Sequence, residues 1–199
     1  LPPCAPESPG LRLKSSSSVR TVLHVGGLLG HKGMWVVARM VRDLPRDVQV
    51  VFAGGGRDKD MLEAHVRRQG LGERVRVVGE PTPGQWSLLY REATLVVMPV
   101  LWNEPLGLDG LAATAYGKPV VAFDTPGIGE WLRDGENGVR VPLGQRRAFG
   151  QAVRGLLEDR ERLQALGQRA REVWSKNFRP ERHIAALLEH YEAVRGAAR

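Results

Sequence analysis

Between residues 21 and 141 the sequence alternates short, valine-rich apolar runs with stretches of helical periodicity, and few architectures accept that texture. The runs at 21–25, 48–53, 75–78, 95–99, 119–123 and 139–141 are nearly continuous in hydrophobicity, as strands covered on both faces must be. The stretches near 33–41, 59–69, 84–90, 107–116 and 129–133 read as helices. Strands and helices in alternation imply a parallel sheet with helices on both faces. The expected fold is therefore α/β: a Rossmann-like, doubly wound parallel sheet of about six strands with a helical C-terminal tail. In such sheets ligands sit beyond the carboxyl ends of the strands, so the loop after each strand is where chemistry is sought.

The flanks have a different texture. Residues 1–18 hold four prolines and a run of four serines at 15–18, the composition of a linker. After Gly144 the pattern is helical throughout, interrupted at Asn177-Phe178-Arg179-Pro180. Pro180 suits the first turn of a last helix running to about Arg195. That helix spaces Ile184, Leu187, Leu188 and Tyr191 by threes and fours, an apolar stripe that needs a partner surface. The expected division is a Pro/Ser-rich linker (1–18), a sheet domain (19–177) and a C-terminal helix (178–199).

Charge and composition narrow the partners. The chain of 199 residues carries 29 Lys and Arg against 22 Asp and Glu, a formal charge of +7, which favours anionic partners. The basic residues are scattered over helices, and Arg154-Glu158 and Glu158-Arg162 have the four-residue spacing of solvated helix pairs. No basic run interleaves with aromatics as in single-strand binders, so nucleic acid is not an expected partner. Peripheral contact with a membrane surface stays open, without a patch to assign it to. No apolar run reaches the ~18–20 residues of a membrane span, and no charged-then-apolar leader opens the sequence. Cys4 is the single cysteine; the expected location is the cytoplasm, with the inner membrane surface as the alternative. His24, His31 and His65 lack ligand spacing, and His183 and His190 stand seven apart on a helix, so no metal is expected.

Four loops carry candidate chemistry. Val25-Gly26-Gly27-Leu28-Leu29-Gly30-His31-Lys32-Gly33 joins the first strand to a helix; glycines admit a phosphate, the helix end supplies N–H donors, and Lys32 adds a charge. The same loop also reads as a tight turn with a solvated lysine. Gly54-Gly55-Gly56 after the second strand is either an anion cradle or a turn ending at an N-cap, with the turn favoured. In Asn103-Glu104-Pro105-Leu106-Gly107, Pro105 pre-sets a helix entry and Glu104 either accepts hydrogen bonds from sugar hydroxyls or offsets the helix dipole. Gly127-Ile128-Gly129-Glu130 is a second glycine-flanked carboxylate. Asp134-Gly135-Glu136-Asn137-Gly138 reads as a turn into the last strand.

Taken in order, four stretches resemble the C-terminal domain of retaining GT-B glycosyltransferases (glycosyl transferases group 1, family 4-like), the group that includes bacterial mannosyltransferases, sucrose synthase and glycogen synthase. They are Val25-Gly26 through Lys32-Gly33, Pro99 with Trp102 through Gly107, Ala115-Tyr116-Gly117-Lys118-Pro119-Val120-Val121, and Gly127-Ile128-Gly129-Glu130 with Asp134 through Gly138. One alone is modest; four in this order and spacing are specific. The resemblance implies one half of a GT-B fold and a UDP- or GDP-sugar whose glycosyl unit passes to a sugar, lipid-linked or small-molecule acceptor. It implies catalytic roles for Glu104, holding sugar hydroxyls, and Lys32, neutralising the leaving diphosphate. Donor-binding positions would be Gly26, Gly27, Lys32, Val78, Gly79, Glu104, Pro105, Leu106, Gly107, Leu108 and Asp109, with Val78-Gly79-Glu80 near the base. No cofactor is implied, since the nucleotide sugar is a substrate.

Two positions depart from the family pattern. The arginine usual beside the first-loop glycine is Gly27, and the second glutamate that grips the ribose is Ala112. Asp109, one turn before Ala112, is the candidate to take over part of that role. Family members bind acceptor in an N-terminal domain of similar size, so a fragment or separately expressed domain, inactive alone, is expected, with the last helix packing toward the missing half. A non-catalytic nucleotide-sugar-binding domain with an eroded site is the alternative. A UDP-sugar 2-epimerase of similar architecture matches the Glu104 and Gly127 loops less well.

Overall fold

The computed structural model describes residues 19–197; the linker expected at 1–18 lies outside them. All six expected strands form: β1 (Arg20–Val25), β2 (Val48–Ala53), β3 (Val75–Gly79), β4 (Leu95–Met98), β5 (Val120–Phe123) and β6 (Gly138–Val141). They make one sheet of order β3-β2-β1-β4-β5-β6, and every neighbouring pair is parallel. The valine-rich runs suit this position because β-branched side chains pack well on both faces of a covered sheet. Burial follows suit: β2, β4 and β5 are buried at every residue, while the edge strands β3 and β6 are buried only at their ends.

The described residues hold eight α-helices, α1 (Met34–Met40), α2 (Lys59–Arg68), α3 (Pro83–Glu92), α4 (Leu108–Ala115), α5 (Pro126–Gly129), α6 (Arg146–Glu158), α7 (Arg160–Asn177) and α8 (Pro180–Ala197), with short 3-10 turns at Gly30–Lys32 and Val41–Asp43. Met34 and Val37 of α1, Leu62 of α2 and Phe149 of α6 cover one face, packed with Val22, Phe52 and Phe123. Leu89 of α3, Ala113 of α4 and Ile128 of α5 cover the other, with Leu23, Val51, Val96 and Ala122. The chain runs outward from β1 to β3, then crosses to β4 on the opposite side of β1. Loops leaving β1 and β4 therefore diverge to opposite faces and open a crevice at their carboxyl ends.

Two helical expectations need correction. The helix expected at 129–133 forms earlier, at Pro126–Gly129, because Pro126 takes the first turn. The residues beyond it close around a buried Asn137 instead. Its Oδ1 accepts from Arg133 N–H at 2.6 Å and its Nδ2 donates to the Trp131 carbonyl at 2.8 Å. The tail is also broken at Asp159, whose carboxylate caps α7 by accepting from Arg162 N–H at 3.0 Å. The Arg154–Glu158 pair forms at 2.8 Å within α6, whereas the break puts Glu158 and Arg162 on different helices. On α8 the stripe of Ile184, Leu187, Leu188 and Tyr191 is 42–64% exposed, so it is not core of the described domain.

Candidate functional site

The crevice between β1 and β4 is built by close contact of two loops. Gly33 has a left-handed φ of 82°, and a Cβ there would fall 1.8 Å from the Pro99 carbonyl oxygen. Only glycine lets the backbones meet this closely, and the Leu101 N–H then donates to the His31 carbonyl at 2.8 Å. The contact delivers Lys32 to Glu104: Nζ donates to Oε2 at 2.7 Å, with side chains 22% and 11% exposed. Trp102 Nε1 donates to the same oxygen at 2.9 Å. The Lys32 ammonium also lies 5.2 Å from the Trp102 ring centroid, a cation–π distance.

The start of α4 is set by glycine and tryptophan. Gly107 has φ 75°, and a Cβ on it would stand 2.5 Å from Ile128 Cδ1. The Leu106 carbonyl accepts from Trp131 Nε1 at 2.6 Å. Gly127 fits beneath Glu104 and Pro105, where a Cβ would meet either carbonyl oxygen at 2.2 Å. The Gly127 to Gly129 segment is thus a buttress for the Glu104 loop, and Glu130 is exposed beyond it. α4 opens at the site with first-turn N–H groups that lack intrahelical acceptors.

The second loop, Gly54-Gly55-Gly56, packs tightly against the first. A Cβ on Gly54 would strike the Gly26 carbonyl oxygen at 2.0 Å, and one on Gly56 the Leu28 oxygen at 2.4 Å. These glycines make a turn that lets two loops pack, and Gly55 N–H is taken by Glu80 Oε2 at 2.7 Å. Asp58, the residue before α2, accepts from Gly30 N–H at 2.8 Å and so fastens the first loop from outside.

Charge at the site is unevenly supplied. A Cβ added to Gly26 would stand 3.0 Å from Asp109 Oδ2, so this carboxylate lies against the first loop. Burial pushes the Asp109 pKa up; Lys32 draws it down, and Glu104 and Glu80 push it up again. Lys32 therefore acts on two neighbouring carboxylates, Glu104 and Asp109. Beneath Lys32, the His24 ring is buried against Phe52 with centroids 5.3 Å apart, and burial lowers its pKa to about 4. Its Nε2 lies 3.4 Å from the Lys32 carbonyl oxygen.

Residues 12–173 match the family described as glycosyl transferases group 1. The chain belongs to the glycosyl transferases group 1 family. Among the relatives of this chain, the D-inositol 3-phosphate glycosyltransferase of Corynebacterium diphtheriae is 32% identical over 188 residues, 90% of this chain and 43% of its own length. The α-D-kanosaminyltransferase of Streptomyces kanamyceticus is 32% identical over 75% of this chain and 39% of its own. The chain thus spans less than half the length of these relatives. Sucrose-phosphate synthase of Thermosynechococcus elongatus superposes with a TM-score of 0.85 at 26% identity, over 92% of this chain and 47% of that one. Anabaena HepE in complex with UDP and glucose has the same fold, with a TM-score of 0.79 at 24% identity over 87% of this chain and 49% of its own.

Of the expected site residues in this glycosyltransferase domain, Gly26, Lys32, Glu104, Gly107 and Asp109 converge. Gly27 adjoins them, with ordinary space beside it: a Cβ would meet Leu29 Cδ1 at 3.5 Å. Val78 packs half-buried against the core of the face covered by α3, α4 and α5, and the Gly79 carbonyl accepts from Gly54 N–H at 2.7 Å. Pro105 and Leu108 lie at the rim, Leu108 being 68% exposed. The sequence places Trp102 in a matched stretch but gives it no role, and it holds Glu104; Tyr90, whose hydroxyl donates to the Asp109 carbonyl at 2.8 Å, is not singled out. The two-residue offset from Trp102 to Glu104 was an available signal, since alternate residues of extended chain share a side. Tyr90 had none. Among the described residues no His, Cys, Asp and Glu cluster could hold a metal ion, and no helix is long and apolar enough to cross a membrane.

Proposed function

We propose that this domain binds the donor of a retaining glycosyltransferase, a UDP- or GDP-sugar, in the crevice between β1 and β4. The observation that carries the reading is the Lys32–Glu104 contact at 2.7 Å, which sets a cation and a hydroxyl acceptor side by side at the carboxyl ends of two strands. Glu104 accepts hydrogen bonds from the sugar. Lys32 neutralises the charge that develops on the departing diphosphate, the fixed positive group such a step needs. The glycines of the first loop and the backbone N–H groups around Leu106 and Gly107 face the phosphates. UDP and glucose bound to Anabaena HepE, a neighbour in fold, support this reading.

The acceptor, a sugar, a lipid-linked sugar or another small molecule, binds in an N-terminal half of the full enzyme. The exposed stripe of α8 packs toward that half, and this domain alone turns nothing over. A second reading has its own observation. With Gly27 and Ala112 in place of side chains that grip the donor, Lys32 is already engaged by Glu104 and Asp109, a poor balance for a diphosphate. On that reading the domain is a non-catalytic remnant. Titration calorimetry with UDP, GDP and their sugars separates the two. Submillimolar binding of one nucleotide series is expected; millimolar or weaker affinity throughout would establish erosion.

A further inference from the structure

Away from the crevice, on the face covered by α1, α2 and α6, a groove of about 440 Å³ runs between α1 and α6. Its walls carry Arg39 from α1 and Arg146, Arg147 and Arg154 from α6, against a single acid, Asp43. Arg154 is held by Glu158 at 2.8 Å. Among the described residues, the side chains of Arg39, Arg146 and Arg147 have no hydrogen-bond or ion-pair partner. Elsewhere arginines are paired, Arg20 with Asp47 at 2.7 Å, Arg169 with Glu136 at 2.9 Å and Arg140 with Asp124, or stand free on open surface as Arg67 and Arg68 do. Here three free guanidinium groups line one concavity.

Unpaired guanidinium groups around one concavity repel each other, and a concave wall concentrates their field on whatever enters. Arg146 and Arg147 add to this because they open α6, whose first turn holds no acidic side chain. Cations are unfavourable at that end of a helix. An anion in the groove relieves both penalties. Phosphate is the anion whose oxygens match the planar fork of arginine, and Gly150 leaves the floor clear of a side chain.

We propose that the α1–α6 groove is a second anion site, distinct from the crevice, that takes a phosphate group from a soluble phosphate ester or a phospholipid headgroup. The test is amide NMR of the whole chain titrated with inorganic phosphate, beside co-sedimentation with vesicles of phosphatidylglycerol or of phosphatidylcholine alone. Saturable shifts confined to residues 36–43 and 146–154 are expected, or retention on phosphatidylglycerol vesicles only. The double variant Arg146→Gln, Arg147→Gln should weaken either by at least about tenfold. The variant Arg67→Gln, Arg68→Gln on the outer face of α2 removes equal charge and should leave both unchanged. Circular dichroism confirms that each variant is folded. Phosphate shifts without vesicle binding identify the soluble source, and vesicle binding that requires the same arginines identifies the headgroup. Equal weakening by both double variants, or no groove-localised shift and no vesicle binding, overturns the proposal.

Discussion

Gly33 and Gly27 lie in the same loop, yet they stand in opposite situations. Gly33 is imposed by the fold: a Cβ there would overlap the Pro99 carbonyl, and its φ of 82° is one that L side chains rarely adopt. Gly27 meets nothing closer than 3.5 Å and has no left-handed φ, so a larger residue fits. At the Gly33 end, side chains from two loops interlock as Lys32, Glu104 and Trp102. At the Gly27 end, Asp109 lies against Gly26 and Glu80 against Gly55, and Gly27 itself supplies no cation. A glycine can mark a place where backbones must touch or a place where a functional side chain is missing, and only the surroundings tell them apart.

The largest effect is expected at Gly33. Gly33→Ala should cost roughly 3 kcal/mol or more through clash and a strained φ, read as a drop in denaturation midpoint. If its stability stays within error of the native chain, the loops are not in obligatory contact. Next comes His24, under Lys32. Its folded pKa of about 4 lies below the ordinary value near 6.5. Its contribution is therefore fully present above pH 6.5 and is lost as pH falls toward 4. Between pH 7.5 and 5 the native chain should lose about 2 kcal/mol that His24→Leu does not lose, measured by denaturant titration at both values.

At the open end the expected effects are smaller. Gly27→Arg should fold normally and tighten nucleoside diphosphate binding by about tenfold, the value of one charge-assisted contact, in calorimetry. No gain would mean that the shortage of cations is not what limits the site. Asp109→Asn should have the smallest effect, under about 1 kcal/mol. Because burial raises the Asp109 pKa, ionisation is disfavoured in the fold. The native chain should therefore lose ground to the variant as pH rises through the carboxyl range. Lower nucleotide affinity in Asp109→Asn would further show that this carboxylate reaches the ribose.

How much could be read in advance follows the same division. The strands were legible because continuous valine-rich runs such as 48–53 have few other uses, and the Glu104 loop because Pro105 and Gly107 punctuate it. The break at Asp159 was not legible, since a helix-compatible pattern continues across it and only the capping bond to Arg162 marks the stop. The role of Gly54 and Gly56 stayed ambiguous because the backbone they admit, Gly26 to Leu28, is 28 residues away in sequence. Tyr90 was invisible for the same reason. The converging charges on Asp109 come from three segments, those of Lys32, Glu80 and Glu104, and no local spacing announces such a meeting.

The most direct measurement compares the affinities of UDP-glucose and UDP for the native chain and for Glu104→Gln. If Glu104 holds the sugar, the native chain binds UDP-glucose more tightly than UDP, and the variant loses that increment. Its affinity for UDP alone should stay equal or rise, because Lys32 is released from its 2.7 Å contact with the carboxylate. Equal weakening of both ligands, or a sugar increment that survives in the variant, would contradict the assignment.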